Sequence, residues 1–425
     1  MSRVLLVSNF EGGYPPVSVA FAATELLEAG HEVTVLDTYV EGIRDELFPE
    51  PDLVAISIPL FDALWPGIEI ANRVREANPD AYITFFGQYA TINQTRLAGK
   101  YGDSCVVGES EATLAALAAR NGGGHAECIP GLAERNGSGD VQAIPPSRPR
   151  SGFRRPTRDL LPPLHKYPQA KVDEVLGGKQ VVGAIELTRG CHHRCTYCSV
   201  FAAYDGKVVV MPQEILLDDV RDQVERGMTH LSFVDAEFFN TRKHGLRLLR
   251  LLHAGFPDLT YDFTTRVDHL IENRETMAEF RELGVRFITS ALEFPSQEVL
   301  DEINKEVTVM DLETAIRIVR DAGIEINPTF IMFNPWISLE DLATFGVFVE
   351  RNDLGAVIDP IQFETRLHLY RGSPLLSSAS IQALRLVEEE FHYEWEHPDP
   401  RVDELFHEIS TPPEPGVFKR CCLKC

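Results

Sequence analysis

The chain has 425 residues, length enough for two or three domains and a sizeable core. Its 64 acidic residues against 40 basic ones give a formal net charge of -24, which disfavours long nucleic-acid contacts by simple repulsion. No basic leader precedes an apolar run, and no apolar run reaches the ~18 residues of a membrane span, so the sequence reads as a soluble, cytoplasmic protein without a membrane or nucleic-acid partner. Six of the eight cysteines fall in two tight clusters, a pattern of metal or redox chemistry rather than of a disulfide scaffold. Cys105 and Cys128 stand apart and read as ordinary thiols.

From the N-terminus, short apolar runs at residues 4–7, 33–36, 53–58, 83–86 and 105–107 alternate with helix-period segments such as 17–29 and 67–77. That alternation predicts a doubly wound α/β domain over residues 1–122, with a parallel sheet and ligand-bearing loops at its strand C-termini, residues 8–16, 59–65 and 87–91. Together with the run Val107-Gly-Glu-Ser-Glu111, its position ahead of a second α/β region is similar to the Rossmann-like cobalamin-binding domain of B12-dependent radical enzymes. The resemblance implies cobalamin as a possible cofactor. One departure stands out: after the first strand the chain reads Asn9-Phe-Glu-Gly-Gly-Tyr-Pro-Pro16, without the Asp-x-His-x-x-Gly loop through which many cobalamin proteins ligate cobalt.

Residues 123–180 are punctuated by Gly and Pro and are expected to form an irregular linker. Its arginines, Arg148, Arg150, Arg154, Arg155 and Arg158, read as solvated linker charges, or alternatively as a grip for an anionic cofactor tail.

From 181 to 375 strand and helix patterns alternate again, as in a partial (β/α)6 barrel. Residues 181–188 read as its first strand, and the chain leaves that strand through Cys191-His-His-Arg-Cys195-Thr-Tyr-Cys198. Three thiols so spaced can face one centre from a single tight loop, and thiolates suit iron–sulfur clusters or zinc. A structural zinc site wants four protein ligands, and neither the two histidines of the loop nor a nearby cysteine pair gives a standard finger spacing. A [4Fe-4S] cluster with one iron open to a small molecule fits better. The motif, with Tyr197 just before the third cysteine, resembles the radical S-adenosylmethionine (SAM) superfamily.

That resemblance implies that Cys191, Cys195 and Cys198 bind the cluster, that its open iron chelates SAM, and that a reducing partner such as flavodoxin or ferredoxin supplies the electron. It also implies roles along the barrel. Asp235 and Glu237, after the strand at 231–234, match the loop that contacts the amino group of SAM. Arg266, after the strand at 261–264, matches a position that contacts the SAM carboxylate or the substrate, a structural ion pair being the alternative. Glu293, after the strand at 287–292, and Lys305 match the residues that hold the ribose and carboxylate of SAM. The fifth strand, 327–332, exits into Phe333-Asn-Pro-Trp336 where many relatives carry Gly-x-Pro-Gly-Glu-Thr; Trp336 is expected to pack on adenine or substrate, or to fill the barrel mouth. A sixth strand is expected at 361–365, followed by the closing turn Gly372-Ser-Pro374.

Residues 376–425 form an extension with an expected helix at 381–392 and the terminal run Arg420-Cys-Cys-Leu-Lys-Cys425. Three thiols at a chain end, flanked by cations that favour thiolates, suit a soft centre: a second iron–sulfur cluster, zinc, or a trivalent arsenical. This tail resembles the RCCLKC-tail radical SAM proteins, the group to which arsinothricin biosynthesis belongs. The resemblance implies transfer of the 3-amino-3-carboxypropyl group of SAM to arsenite, with Cys421, Cys422 and Cys425 as the catalytic thiols that present arsenic. Two other readings compete: a cobalamin-dependent radical SAM methyltransferase, and a non-catalytic iron–sulfur electron or metal carrier.

Overall fold

The computed structural model describes residues 1–124, 128–146 and 153–410. They form two compact units, residues 1–186 with 211–231, and residues 187–210 with 232 onward.

In the first unit, β1 (Arg3–Ser8), β2 (Glu32–Asp37), β3 (Leu53–Ser57), β4 (Tyr82–Phe86), β5 (Ser104–Val106), β6 (Leu132–Arg135) and β7 (Val141–Ala143) make one sheet. Its order is β2-β1-β3-β4-β5-β6-β7. The first five strands pair parallel, and β6 and β7 add on antiparallel. β1 and β3 are nearly unbroken apolar runs because helices cover both faces of a parallel sheet. Helix Val17–Glu28 presents Val19, Ala22, Ala23 and Leu26 to the core formed with Leu6, Leu53, Phe86 and Leu117. The strand order reverses between β1 and β3, and this opens a crevice outside their carboxyl ends.

Two features of this unit depart from expectation. The stretch whose composition marks a linker contains β6, β7 and helix Ala170–Leu176; short strands on a sheet edge need little apolar periodicity of their own, since the neighbouring strand supplies their hydrogen bonds. The linker arginines are also not simply solvated. Arg158 is buried, donating from Nε and Nη2 to Asp219 at 3.0 and 2.8 Å and from Nη2 to Ala184 O at 2.8 Å. Arg155 pairs with Asp222 at 3.0 Å and Arg154 with Glu28 at 2.5 Å, while Arg148 and Arg150 lie outside the described residues.

The barrel sheet runs β8 (Val182–Ile185), β11 (His230–Phe233), β12 (Thr260–Thr265), β13 (Val285–Glu293) and β14 (Glu325–Phe330), the last three pairing parallel in sequence order. Between its first two strands, β9 (Thr188–Gly190) and β10 (Val208–Val210) form an antiparallel ribbon. The expected single strand at 181–188 is therefore broken. Asp235 explains the break: its carboxylate accepts from Leu187 N at 2.9 Å, Thr188 N at 2.6 Å and Thr188 Oγ1 at 2.8 Å, so these groups are drawn out of the ladder.

The expected sixth strand is a turn of 3-10 helix, Pro360–Glu364. Pro360 has no N–H to give a ladder, and Asp359 caps the turn by accepting from Ile361 N. What remains of that strand is a parallel bridge between Phe333 and Arg366. The helix expected at 381–392 is also corrected. Beyond the short helix Ala379–Gln382, β16 (Leu386–Glu388) and β17 (His392–Trp395) pair with β15 (Leu369–Tyr370) in a small antiparallel sheet. Leu386, Tyr393 and Trp395 alternate along it and pack on Leu367, Leu375 and Ile381, a period-two pattern that tertiary burial favours over the helical one. Among the described residues no helix is long and apolar enough to cross a membrane.

Candidate metal centre

The cysteine loop is pinned at both ends. Gly190 ends β9 at φ +81°, where a side chain would place its Cβ 2.2 Å from Lys207 O, so only glycine lets the ribbon close and the chain turn into Cys191. Asn240 Nδ2 donates to Gly190 O at 2.9 Å. Farther along, Thr196 N donates to Ile303 O at 3.3 Å and Tyr370 Oη to Cys198 O at 2.8 Å, so β13's following turn and β15 both hold the loop. Cys191 and Cys195 are buried and Cys198 is half-buried. Burial pushes the Cys191 thiol up to about 12 and raises Cys198, with the neighbouring thiols adding to both. Binding a metal must therefore release protons from Cys191 and Cys198.

The three cysteines, Tyr197, Glu237, Arg266 and Lys305 line a single open cavity. Glu293 joins them by a buried chain of contacts: Lys305 Nζ is 2.7 Å from Glu293 Oε1 and 3.2 Å from Tyr197 Oη, which donates to the same carboxylate. Glu293 reaches this position because it sits at φ +63°, at a register shift between β13 and β14. A non-glycine residue there costs about 1–3 kcal/mol, a strain found where a side chain must be re-aimed. Burial and the Glu293 carboxylate raise the Tyr197 phenol well above its ordinary range.

Arg266 is engaged on three sides. It donates to Cys195 Sγ at 2.8 Å, to Lys305 O at 2.6 Å and to Asp268, with Nε at 2.9 Å from Oδ1. Both the cluster loop and a structural ion pair therefore hold its guanidinium. Glu237 is fully enclosed. It accepts from Phe239 N and Arg266 N, each at 2.8 Å, and from Thr265 Oγ1 at 2.7 Å. His269 Nδ1 stands 2.9 Å away. Burial alone would raise this carboxyl, but His269 and the other donors outweigh it and hold it below the usual range. The reciprocal effect raises His269 against the pull of burial. Burial, with the nearby Arg266, pushes His193 down to about 4.

Asp235 does not line the cavity; it anchors the strand break described above. Trp336 packs against the small C-terminal core of Leu367, Leu375 and Trp395, as Tyr197 does. Cys421, Cys422 and Cys425 lie outside the described residues. Sequence reasoning missed His269, Thr265 and Tyr370. The first two lie at the end of strand β12 and just beyond it, within the run Thr265-Arg-Val-Asp-His269, whose density of polar side chains at a strand exit was the available signal.

Residues 185–346 match the model of the Radical SAM superfamily, and residues 3–118 match the B12 binding domain. The chain carries a B12-binding domain followed by a radical SAM domain. It is similar to the hopanoid C-3 methylase of Methylococcus capsulatus, 26% identical over 339 residues that cover 76% of this chain and 61% of that one. The chain thus spans about three fifths of that relative's length. The solved structure of OxsB, a cobalamin-dependent SAM radical enzyme with aqua-cobalamin and SAM bound, superposes with a TM-score of 0.76 at 17% identity, over 96% of this chain and 66% of that one. The methyltransferase TsrM from Kitasatospora setae gives 0.71 at 20% identity, over 88% and 74%. At such identities the likeness shows the fold.

The two domains imply a [4Fe-4S] cluster, SAM and cobalamin as cofactors. The radical SAM domain fits the first: three soft donors converge on one cavity and leave a fourth position to a small molecule. In the B12-binding domain the carboxyl-end loops fit a bulky polar ligand. Asn9 is buried with Oδ1 lacking a partner, and Gly87, at φ +107°, keeps a Cβ from meeting the Ile58 backbone at 2.9 Å. Glu11 accepts from Ser18 and, at 3.2 Å, from Ser57, and burial pushes it up to about 7. Burial likewise lifts Asp62 to about 6. Carboxyls poised between acid and anion both donate and accept, which suits the amides that edge a corrinoid. Residues 9–16, 58–65 and 87–93 contain no histidine, so none of these loops offers cobalt an imidazole.

Proposed function

We propose that this protein is a cobalamin-dependent radical SAM enzyme that transfers a one-carbon, methyl-type group from SAM to a small molecule. The convergence of Cys191, Cys195 and Cys198 on the cavity lined by Tyr197, Arg266 and Lys305 carries the reading, supported by the B12-binding domain ahead of it. When bound, the cluster supplies the electron that cleaves a sulfonium C–S bond and the corrinoid supplies a methyl carrier. In this assignment the protein's own groups bind and orient. Lys305, Glu293 and Tyr197 meet the charged and hydroxyl groups of SAM, Arg266 steadies Cys195, and Glu237 and Asp235 hold the backbone that presents them. A reduced flavodoxin or ferredoxin serves as the electron source.

A second reading rests on the three terminal thiols: aminocarboxypropyl transfer to a thiophilic acceptor such as arsenite. The relatives and structural neighbours favour methyl-type transfer over it. Anaerobic incubation of the reconstituted, reduced protein with cobalamin, SAM and arsenite, followed by mass spectrometry of both halves of SAM, separates the two. Cobalamin-dependent S-adenosylhomocysteine and 5′-deoxyadenosine are expected. Methylthioadenosine with an arsenic-bearing amino acid would instead establish the second reading, and intact SAM with no binding would point to an electron or metal carrier.

A further inference from the structure

Three imidazoles beside the cysteine loop have no part in the chemistry above. His193 Nε2 lies 3.1 Å from His269 Nε2. The ring centroids of His192 and His193 are 4.4 Å apart, and those of His193 and His269 are 4.8 Å apart. One ligand nitrogen or its equivalent from each residue falls within 4.8 Å of the other two. An N–H···N hydrogen bond accounts for His193 and His269, and His192 adjoins them as the residue before His193. Two nitrogens bound to one tetrahedral zinc at ~2.0–2.1 Å stand about 3.3 Å apart, close to the 3.1 Å between His193 and His269; the exposed His192 ring must turn inward to complete the set. Behind the group, His269 Nδ1 faces the Glu237 carboxylate at 2.9 Å. A carboxylate beside Nδ1 favours the tautomer that leaves the Nε2 lone pair for a metal.

We propose that His192, His193 and His269 form a second metal site, for a divalent cation of borderline softness such as zinc, with Glu237 orienting His269. Three protein ligands leave the fourth tetrahedral position to water or to an anionic group of a small molecule. His193 also borders the cavity of the three cysteines, so a ligand on that position stands at the cavity's edge. The site stands whichever group the enzyme transfers.

The test uses the full chain with its iron–sulfur cluster reconstituted and with C421S, C422S and C425S in the background, so that the terminal thiols cannot capture zinc. Zinc is titrated in a chelator buffer, zinc and iron are counted per chain by elemental mass spectrometry, and zinc K-edge absorption reports the first shell. One zinc per chain in an imidazole shell is expected. His192→Ala, at an exposed position, should weaken binding at least about tenfold with iron content unchanged, and Glu237→Gln by about 10–100-fold. Zinc bound equally well by His192→Ala, sulfur in the zinc shell, or no zinc bound by the histidine-intact protein would overturn the proposal.

Discussion

The carboxyl ends of the two parallel sheets solve opposite electrostatic problems. In the B12-binding domain, Glu11 and Asp62 are desolvated carboxyls that burial pushes toward the neutral acid. In the radical SAM domain the buried charges are matched: Glu293 with Lys305 and Arg266 with Asp268. Desolvation penalises an unpaired charge far more than a paired one. The first site is therefore suited to a ligand that hydrogen-bonds without carrying strong charge, and the second to one that is itself zwitterionic.

The contrast is broken most severely by removing a thiol. Cys195→Ser should reduce iron content and SAM cleavage by more than about 100-fold, beyond the range seen when only a partner behind a ligand is lost, while corrinoid uptake, read from the absorption spectrum, persists. Loss of both would mean that the two sites do not load separately. Breaking a matched pair comes next. Lys305→Met strands the Glu293 carboxylate and should cost about 3–5 kcal/mol, seen as a fall of roughly 10 °C in Tm. Adding Glu293→Gln should restore most of the stability but not SAM binding. If the double variant is as unstable as the single one, packing rather than charge matters there.

Arg266→Lys sharpens the picture by keeping the charge and losing the fork. A lysine cannot serve Cys195 Sγ, Asp268 and Lys305 O together. The cluster's reduction potential should fall by on the order of 50 mV, the one-electron equivalent of a hydrogen bond contributing about 1 kcal/mol; an unchanged potential would remove Arg266 from the cluster's electrostatics. The smallest effect belongs to the first site. Because the folded value of Glu11, about 7, lies above the ordinary 4.5, its contribution to stability is full below pH 4.5 and is lost as pH rises through 7. Glu11→Gln should thus leave Tm unchanged near pH 4 and raise it by about 2–4 °C at pH 8. Equal effects at both pH values would show that the carboxyl does not titrate in this range.

The parallel strands and the cysteine loop were legible because their signals are local: apolar runs of strand length, and thiols within eight residues of one another. The sixth strand and the helix at 381–392 were misread for the complementary reason. Pro360 and Asp359 turn an apolar segment into a 3-10 turn, and Trp395 is fixed by its indole N–H donating to Leu367 O at 2.9 Å, neither of which apolar periodicity encodes. Arg158 looked like one basic residue in a linker, and only the fold brings it to Asp219, 61 residues on.

By itself, then, the sequence determined the two domain types and the three thiols, since short-range spacing and periodicity fix what a loop or strand can do. Tertiary structure alone decided the partners. Tyr197 meets Glu293 across 96 residues, His193 meets His269 across 76, and the protonation of each buried group depends on who stands beside it once water is gone.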